Sequence, residues 1–167
     1  VSDGMGGSST YSAKLTVAAA NQVFMGTDRA DNLGAAGTGD GYLLLGGNDR
    51  VTGGAGDDAI DGGDGVDTAI YTAKRASYTV SGNGSWWAVT AKTGTDGNDR
   101  LTAVERLQFS DRMVALDMDG SAHGGQAAQI IRALFGGATL KVADYTGYGV
   151  VLLDQGMSYA DLVALAV

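Results

Sequence analysis

Five aspartates stand nine residues apart in this chain: Asp31, Asp40, Asp49, Asp58 and Asp67. Glycines crowd the stretches between them. The most regular copy is Gly53-Gly54-Ala55-Gly56-Asp57-Asp58-Ala59-Ile60-Asp61. Carboxylates repeated at a fixed spacing are hard oxygen ligands, and the chemistry they suit is cation binding. Catalysis has far less to draw on. His123 is the single histidine and is expected to be a solvated loop residue, and no G-x-S-x-G elbow occurs. The sequence therefore predicts no enzymatic activity within this chain.

The ladder requires a particular scaffold. Its five units begin at Gly26, Ala35, Leu44, Gly53 and Gly62, with Asp at position six of each. Position eight reads Leu33, Tyr42, Val51, Ile60 and Ala69, so an apolar side chain points inward once per unit. Each unit is then a turn followed by a strand of about three residues, and two units complete one coil. Alternate units stack at the ~4.8 Å spacing of neighbouring strands. Stacking sets Asp31 over Asp49, Asp40 over Asp58, and Asp49 over Asp67. Carboxylates that close repel in a partly desolvated turn, and a cation between them reverses the sign. Glycine supplies the positive φ and close approach that such turns need.

The charge distribution agrees. The chain carries a net charge of −8, with 19 acidic residues of which Glu105 is the single glutamate. Residues 26–70 hold nine aspartates against Arg29 and Arg50. Uncompensated, that density favours disorder, so metal binding and folding are expected to be coupled.

The nonapeptide pattern GGxGxDxUx, where U is a large apolar residue, is that of calcium-binding β-helical repeats. On these residues the segment resembles the RTX (repeats-in-toxin) family of type I secreted bacterial proteins. In that family each ion takes backbone carbonyls from positions one, two and four and the Asp at position six. The resemblance implies a ligand set of Gly53, Gly54, Gly56 and Asp58, and another of Gly62, Gly63, Gly65 and Asp67. In the third unit the matching residues are Leu44, Leu45, Gly47 and Asp49. Asp31 and Asp40 complete the stacked pairs, so about three Ca²⁺ ions are expected. The copies are unequal: Arg29 stands where glycine is usual, the second unit lacks its leading glycines, and the third begins with two leucines.

The rest of the chain is expected to support this segment. The fold class reads as mainly β, a calcium-binding parallel β-roll with a β-rich C-terminal cap and a short α-helical tail. Residues 1–20 alternate as a strand that resembles the last strand of a cadherin-like or immunoglobulin-like repeat. Residues 21–70 are the roll. Residues 71–120 are the cap, with strands around Tyr78, Trp87 and Leu107 and a hairpin turn at Ser81-Gly82-Asn83-Gly84. GVDTAIY and GTDGNDRLTAVERLQFSD resemble the phrases that close RTX rolls. Asp96 and Asp99 are expected to be turn residues, and Glu105 to pair with a basic neighbour. Of Trp86 and Trp87, strand alternation sends one to the core.

Residues 121–167 are expected to be helical. One apolar stripe runs through Ala127, Ile130, Ile131, Leu134 and Phe135, another lies between Asp144 and Leu153, and a third helix opens at Ser158. The tail Asp161-Leu162-Val163-Ala164-Leu165-Ala166-Val167 resembles the uncleaved C-terminal signal of type I substrates.

The chain has no Cys and no Pro, which removes disulfides and thiolate sites. No run reaches the ~18 apolar residues of a membrane span, and the acidity argues against nucleic acid. Val1 in place of an initiator methionine is expected of a fragment or mature product. The function expected is a calcium-dependent folding and secretion module of an extracellular or cell-surface bacterial protein, adhesin-like or surface-layer-like. The alternatives are the export module of a secreted protease or lipase, and a calcium-driven self-assembling surface protein. Partners expected besides calcium are the type I secretion machinery, cell-surface components and other copies of the chain.

Overall fold

A computed structural model describes residues 22–34, 37–119, 122–135 and 150–166. The expected strand in residues 1–20 and the start of the second helical stripe lie outside the described residues. The fold is mostly β, with parallel sheets and few helices.

The repeat units alternate between two sheets. The first sheet contains β1 (Val23–Met25), β3 (Gly41–Leu43) and β5 (Ala59–Asp61). The second contains β2 (Asn32–Leu33), β4 (Arg50–Val51) and β6 (Thr68–Ile70). Pairing within each sheet is parallel, with Phe24 beside Tyr42 beside Ile60, and Leu33 beside Val51 beside Ala69. This is the roll-like stacking of alternate units that the nine-residue period demands. Position eight points inward throughout: Tyr42, Val51, Ile60 and Ala69 are buried, Leu33 packs on the same core, and Phe24 stacks on Tyr42 at 5.1 Å. Burial of each large apolar side chain stabilises by roughly 1.5–3 kcal/mol, so the strands are held by this seam despite their shortness.

The chain then leaves the coil. A 3₁₀ turn (Arg75–Ser77) leads into the hairpin of β7 (Tyr78–Gly82) and β8 (Trp87–Ala91), closed by Asn83 N–H donating to Trp86 O. β9 (Asn98–Thr102) returns to the first sheet, parallel to β5 and antiparallel to β8. β10 (Arg106–Gln108) adds to β6 in parallel, and β11 (Met113–Ala115) closes the second sheet antiparallel. As alternation requires, Trp87 packs against the core while Trp86 stays exposed beneath the Arg100 guanidinium.

Two helices follow, α1 (His123–Phe135) and α2 (Tyr159–Ala166), with helical residues 150–154 between them. Ala127, Ile130, Val150, Leu153 and Leu162 make a small second core. At the start of α2 the Ser158 Oγ accepts the Asp161 N–H at 3.1 Å and donates to the Asp161 carboxylate at 2.6 Å, a reciprocal N-terminal cap. Among the described residues, no helix is long and apolar enough to cross a membrane.

Candidate metal centre

The stacked turns bring the sequence-predicted pairs together. The Asp31 N–H donates to Asp49 Oδ1 at 2.7 Å, Asp40 N–H to Asp58 Oδ1 at 2.7 Å, and Asp49 N–H to Asp67 Oδ1 at 2.8 Å. One oxygen of each carboxylate is thus used by the turn stacked on it. The other is not. Asp40, Asp49, Asp58 and Asp67 are at most 3% exposed, and their Oδ2 atoms meet no hydrogen-bond donor among the described residues. An unsatisfied buried polar atom costs about 1–3 kcal/mol, and more when charged. Four of them rival the whole stability of a domain. Asp31 differs, because Thr27 gives its Oδ2 both the backbone N–H (2.6 Å) and the hydroxyl (2.9 Å).

Backbone geometry explains the glycines and one exception. Position two of the fourth and fifth units is Gly54 and Gly63, at φ 105° and 84°. In the third unit Leu45 takes the same left-handed conformation, φ 73°, at a steric cost of about 1–2 kcal/mol. The turns also stack too tightly for side chains: a Cβ on Gly65 would lie 1.8 Å from the Gly47 carbonyl oxygen. The Gly53 carbonyl accepts the buried Tyr42 hydroxyl at 3.0 Å. The second unit slips by one residue. Thr38, not Gly37, bridges to Ala55, and Gly39 adopts the positive φ that Gly56 shows. The slip is absorbed before Asp40, which keeps its place over Asp58.

Three rungs escaped the sequence reading. Gln22 N–H donates to Asp40 Oδ1 at 3.0 Å, so the residue before β1 occupies a position-six slot without being an acid. Asp99, expected to be a turn residue, accepts the Asp58 N–H at 3.0 Å and is 2% exposed. It is a rung of the ladder displaced by the inserted hairpin, so its partner lies 41 residues away rather than 18. Glu105, expected to pair with a basic neighbour, instead accepts the Asp67 N–H at 2.9 Å. Only Asp96 stays in the turn as expected, accepting the Tyr78 hydroxyl at 2.5 Å.

Burial raises the carboxyl pKa of five acids in this region. Asp49, Asp58 and Glu105 are shifted upward by desolvation first, with neighbouring carboxylates adding to it. Asp67 and Asp99 are pushed up to about 7. The Tyr71 hydroxyl lies against Asp99 without reaching hydrogen-bond geometry, and its pKa is raised as well, first by burial. Each of these five acids would gain from a positive partner. Among the described residues no three acidic or histidine side chains converge on one point, so an ion would draw part of its shell from backbone carbonyls. An all-oxygen set of paired aspartates and glycine-turn carbonyls suits a hard cation such as Ca²⁺.

The fold has a solved counterpart. The chain is similar to the extracellular lipase LipA from Serratia marcescens, with a TM-score of 0.50 and 20% identity over 57% of this chain. The match spans 15% of the lipase chain. At this identity the likeness concerns the fold alone. No protein-family profile and no curated protein matches the sequence.

A second polar cluster joins the β region to the helices. Arg106 is 1% exposed and donates through Nε (2.8 Å) and Nη2 (2.6 Å) to both Asp154 carboxylate oxygens. Its Nη1 serves Asp117 and the Glu105 carbonyl. His123 is not the isolated side chain expected from its loop-like flanks, because its Nδ1 lies 2.7 Å from Asp154. The sequence separation of these residues hid their meeting.

Proposed function

We propose that residues 26–70 are a calcium-binding parallel β-roll of the RTX kind, and that the chain is a calcium-dependent folding and export module of an extracellular or cell-surface bacterial protein. The observation that carries this reading is the row of buried Asp40, Asp49, Asp58 and Asp67 oxygens that lack a donor among the described residues. A cation supplies the positive charge those oxygens lack. The ligand candidates are Asp49 with Leu44, Leu45 and Gly47, Asp58 with Gly53, Gly54 and Gly56, and Asp67 with Gly62, Gly63 and Gly65.

The function follows from the affinity range of extracellular calcium modules, Kd ~10⁻⁴ to 10⁻³ M. A tenfold excess over Kd adds roughly 1.4 kcal/mol per site, so a few sites match the stability of a small domain. Such a chain stays unfolded where calcium is scarce, as passage through a secretion channel requires, and folds where calcium is plentiful. In this reading the module contributes no catalytic residues of its own, and its C-terminal tail is read by type I export machinery.

A second reading attaches the module to a secreted hydrolase, and the likeness to part of an extracellular lipase supports it. Upstream sequence separates the readings: tandem β-sandwich repeats favour an adhesin-like protein, a lipase or zinc-protease motif the hydrolase. The test of the shared core is circular dichroism of the full chain. EDTA should lower the Tm and weaken the β signal and calcium should restore both cooperatively, and by calorimetry Asp58→Ala should weaken calcium binding more than Asp96→Ala. A far-UV spectrum and Tm indifferent to calcium would overturn the proposal.

A further inference from the structure

The turn between β9 and β10 departs from the repeat. It consists of Ala103, Val104 and Glu105, where a regular unit has six turn residues, and Ala103 is forced to φ 47°. The strain directs its carbonyl toward the preceding coil. The point that a Cβ on Gly62 would occupy lies 1.9 Å from the Ala103 carbonyl oxygen and 2.6 Å from Asp67 Oδ2. Asp67 is fully buried and its Oδ2 meets no donor among the described residues. The Glu105 carboxylate reaches the same turn, holding the Asp67 N–H through Oε2. Ala103, Val104 and Glu105 line a 420 Å³ cavity together with Trp87 and Leu116, which gives the turn access to solvent.

We propose that Asp67 Oδ2, the Ala103 carbonyl and the Glu105 carboxylate hold a hard divalent cation, of the Ca²⁺ class, at the seam between ladder and cap. None of the cap ligands belongs to a nonapeptide repeat, and glutamate replaces the aspartate that every repeat carries. The longer side chain spans the gap left by the shortened turn. The site rests on the cation reading of the ladder for its chemistry, and shares with it Asp67 alone. Two carboxylates and a carbonyl leave room for water in the remaining positions, as hard-cation sites tolerate.

Terbium(III), a hard-cation probe, tests the site in the full chain. Excitation at the red edge of tryptophan absorption reports ions near Trp87 and leaves out those seen through tyrosine. The wild type should show tryptophan-sensitised terbium emission that calcium competes away. Trp87→Phe should abolish it although Trp86 remains. Glu105→Gln keeps an acceptor for the Asp67 N–H and should weaken the affinity reported by this signal about tenfold, the size of one lost charged contact. Asp96→Ala, at a carboxylate in the turn before β9 that accepts the Tyr78 hydroxyl, should leave it in place. Absence of the signal in the wild type, or an unchanged affinity in Glu105→Gln, overturns the seam site. Loss of tyrosine-sensitised binding with the tryptophan signal intact would instead sink the repeat sites alone. Should Glu105→Gln fold poorly, the wild-type emission, its calcium competition and the Trp87→Phe comparison decide the matter.

Discussion

The molecule withdraws aspartate from water in two places, fully in one and partly in the other, and treats it in opposite ways. In the ladder, Asp40, Asp49, Asp58 and Asp67 each keep one oxygen that meets no donor among the described residues. At the joint with the helices, Asp117 and Asp154 surround Arg106, whose guanidinium satisfies them and the Glu105 carbonyl. Burial opposes the charge on Arg106, yet the hydrogen bonds to Asp154 and Asp117 outweigh it and raise its pKa. The difference teaches where each region finds its positive charge. The joint carries its own; in the proposed reading the ladder takes its charge from the solution.

The sharpest way to break this comparison is at Arg106. Arg106→Ala removes the buried partner of two half-buried carboxylates and should cost about 3 kcal/mol in urea melts, equally in calcium and in EDTA. A loss that appears only in calcium would place the joint under the control of the ladder. Asp49→Asn should behave with opposite signs in the two solutions. It keeps the acceptor for Asp31 N–H but removes a charged orphan oxygen, so in EDTA it should stabilise by about 1–3 kcal/mol. In calcium it should destabilise, and a mutant less stable in both conditions would contradict the assignment.

Proton binding offers a third handle. Asp67 and Asp99 titrate near 7 in the folded chain, while an unfolded aspartate titrates near 4. The folded state therefore binds protons more tightly. The contribution of these two acids to metal-free stability should be full below about pH 4 and be lost as pH rises through about 7. Denaturant titrations in EDTA should show this fall, and a flat profile would refute it. Last and smallest, Leu45→Gly should stabilise the folded chain by about 1 kcal/mol by relieving the left-handed leucine, with calcium affinity unchanged. A destabilised variant would show that the exposed leucine packs against something.

Much of this was legible in the sequence because the code is local. Asp at position six and an apolar residue at position eight, repeated without a break from Asp31 to Ala69, give both the pairing of rungs and the inward seam. Ser158 and Asp161 announce the cap of α2 in the same local way. What the sequence hid is either interrupted or disguised. Asp99 belongs to the ladder, but a hairpin stands between it and Asp58, so a search at multiples of nine passes it by. Gln22 sits in a unit without glycines, and its backbone N–H, not an acid, makes the rung. Glu105 follows a turn too short for the period. The phrase Asp96-Gly97-Asn98-Asp99-Arg100-Leu101 did carry the signal, since an acid two residues before an inward Leu101 repeats the Asp58 to Ile60 spacing. Arg106 and His123 depend on Asp154, 48 and 31 residues away, a distance over which local pattern carries no information.

The pairing polarity of the two sheets has a directional consequence. Inside the stack every neighbour runs parallel, yet each sheet ends on its C-terminal side with antiparallel strands, β8 and β7 beyond β9, and β11 beyond β10. A further coil presented there would meet strands of the wrong sense. At the opposite end, among the described residues, β1 and β2 are the edge strands and keep the sense of a repeat. The stack thus has a closed terminus and an extendable one, and lengthening it by whole coils is compatible with its pairing from one side alone.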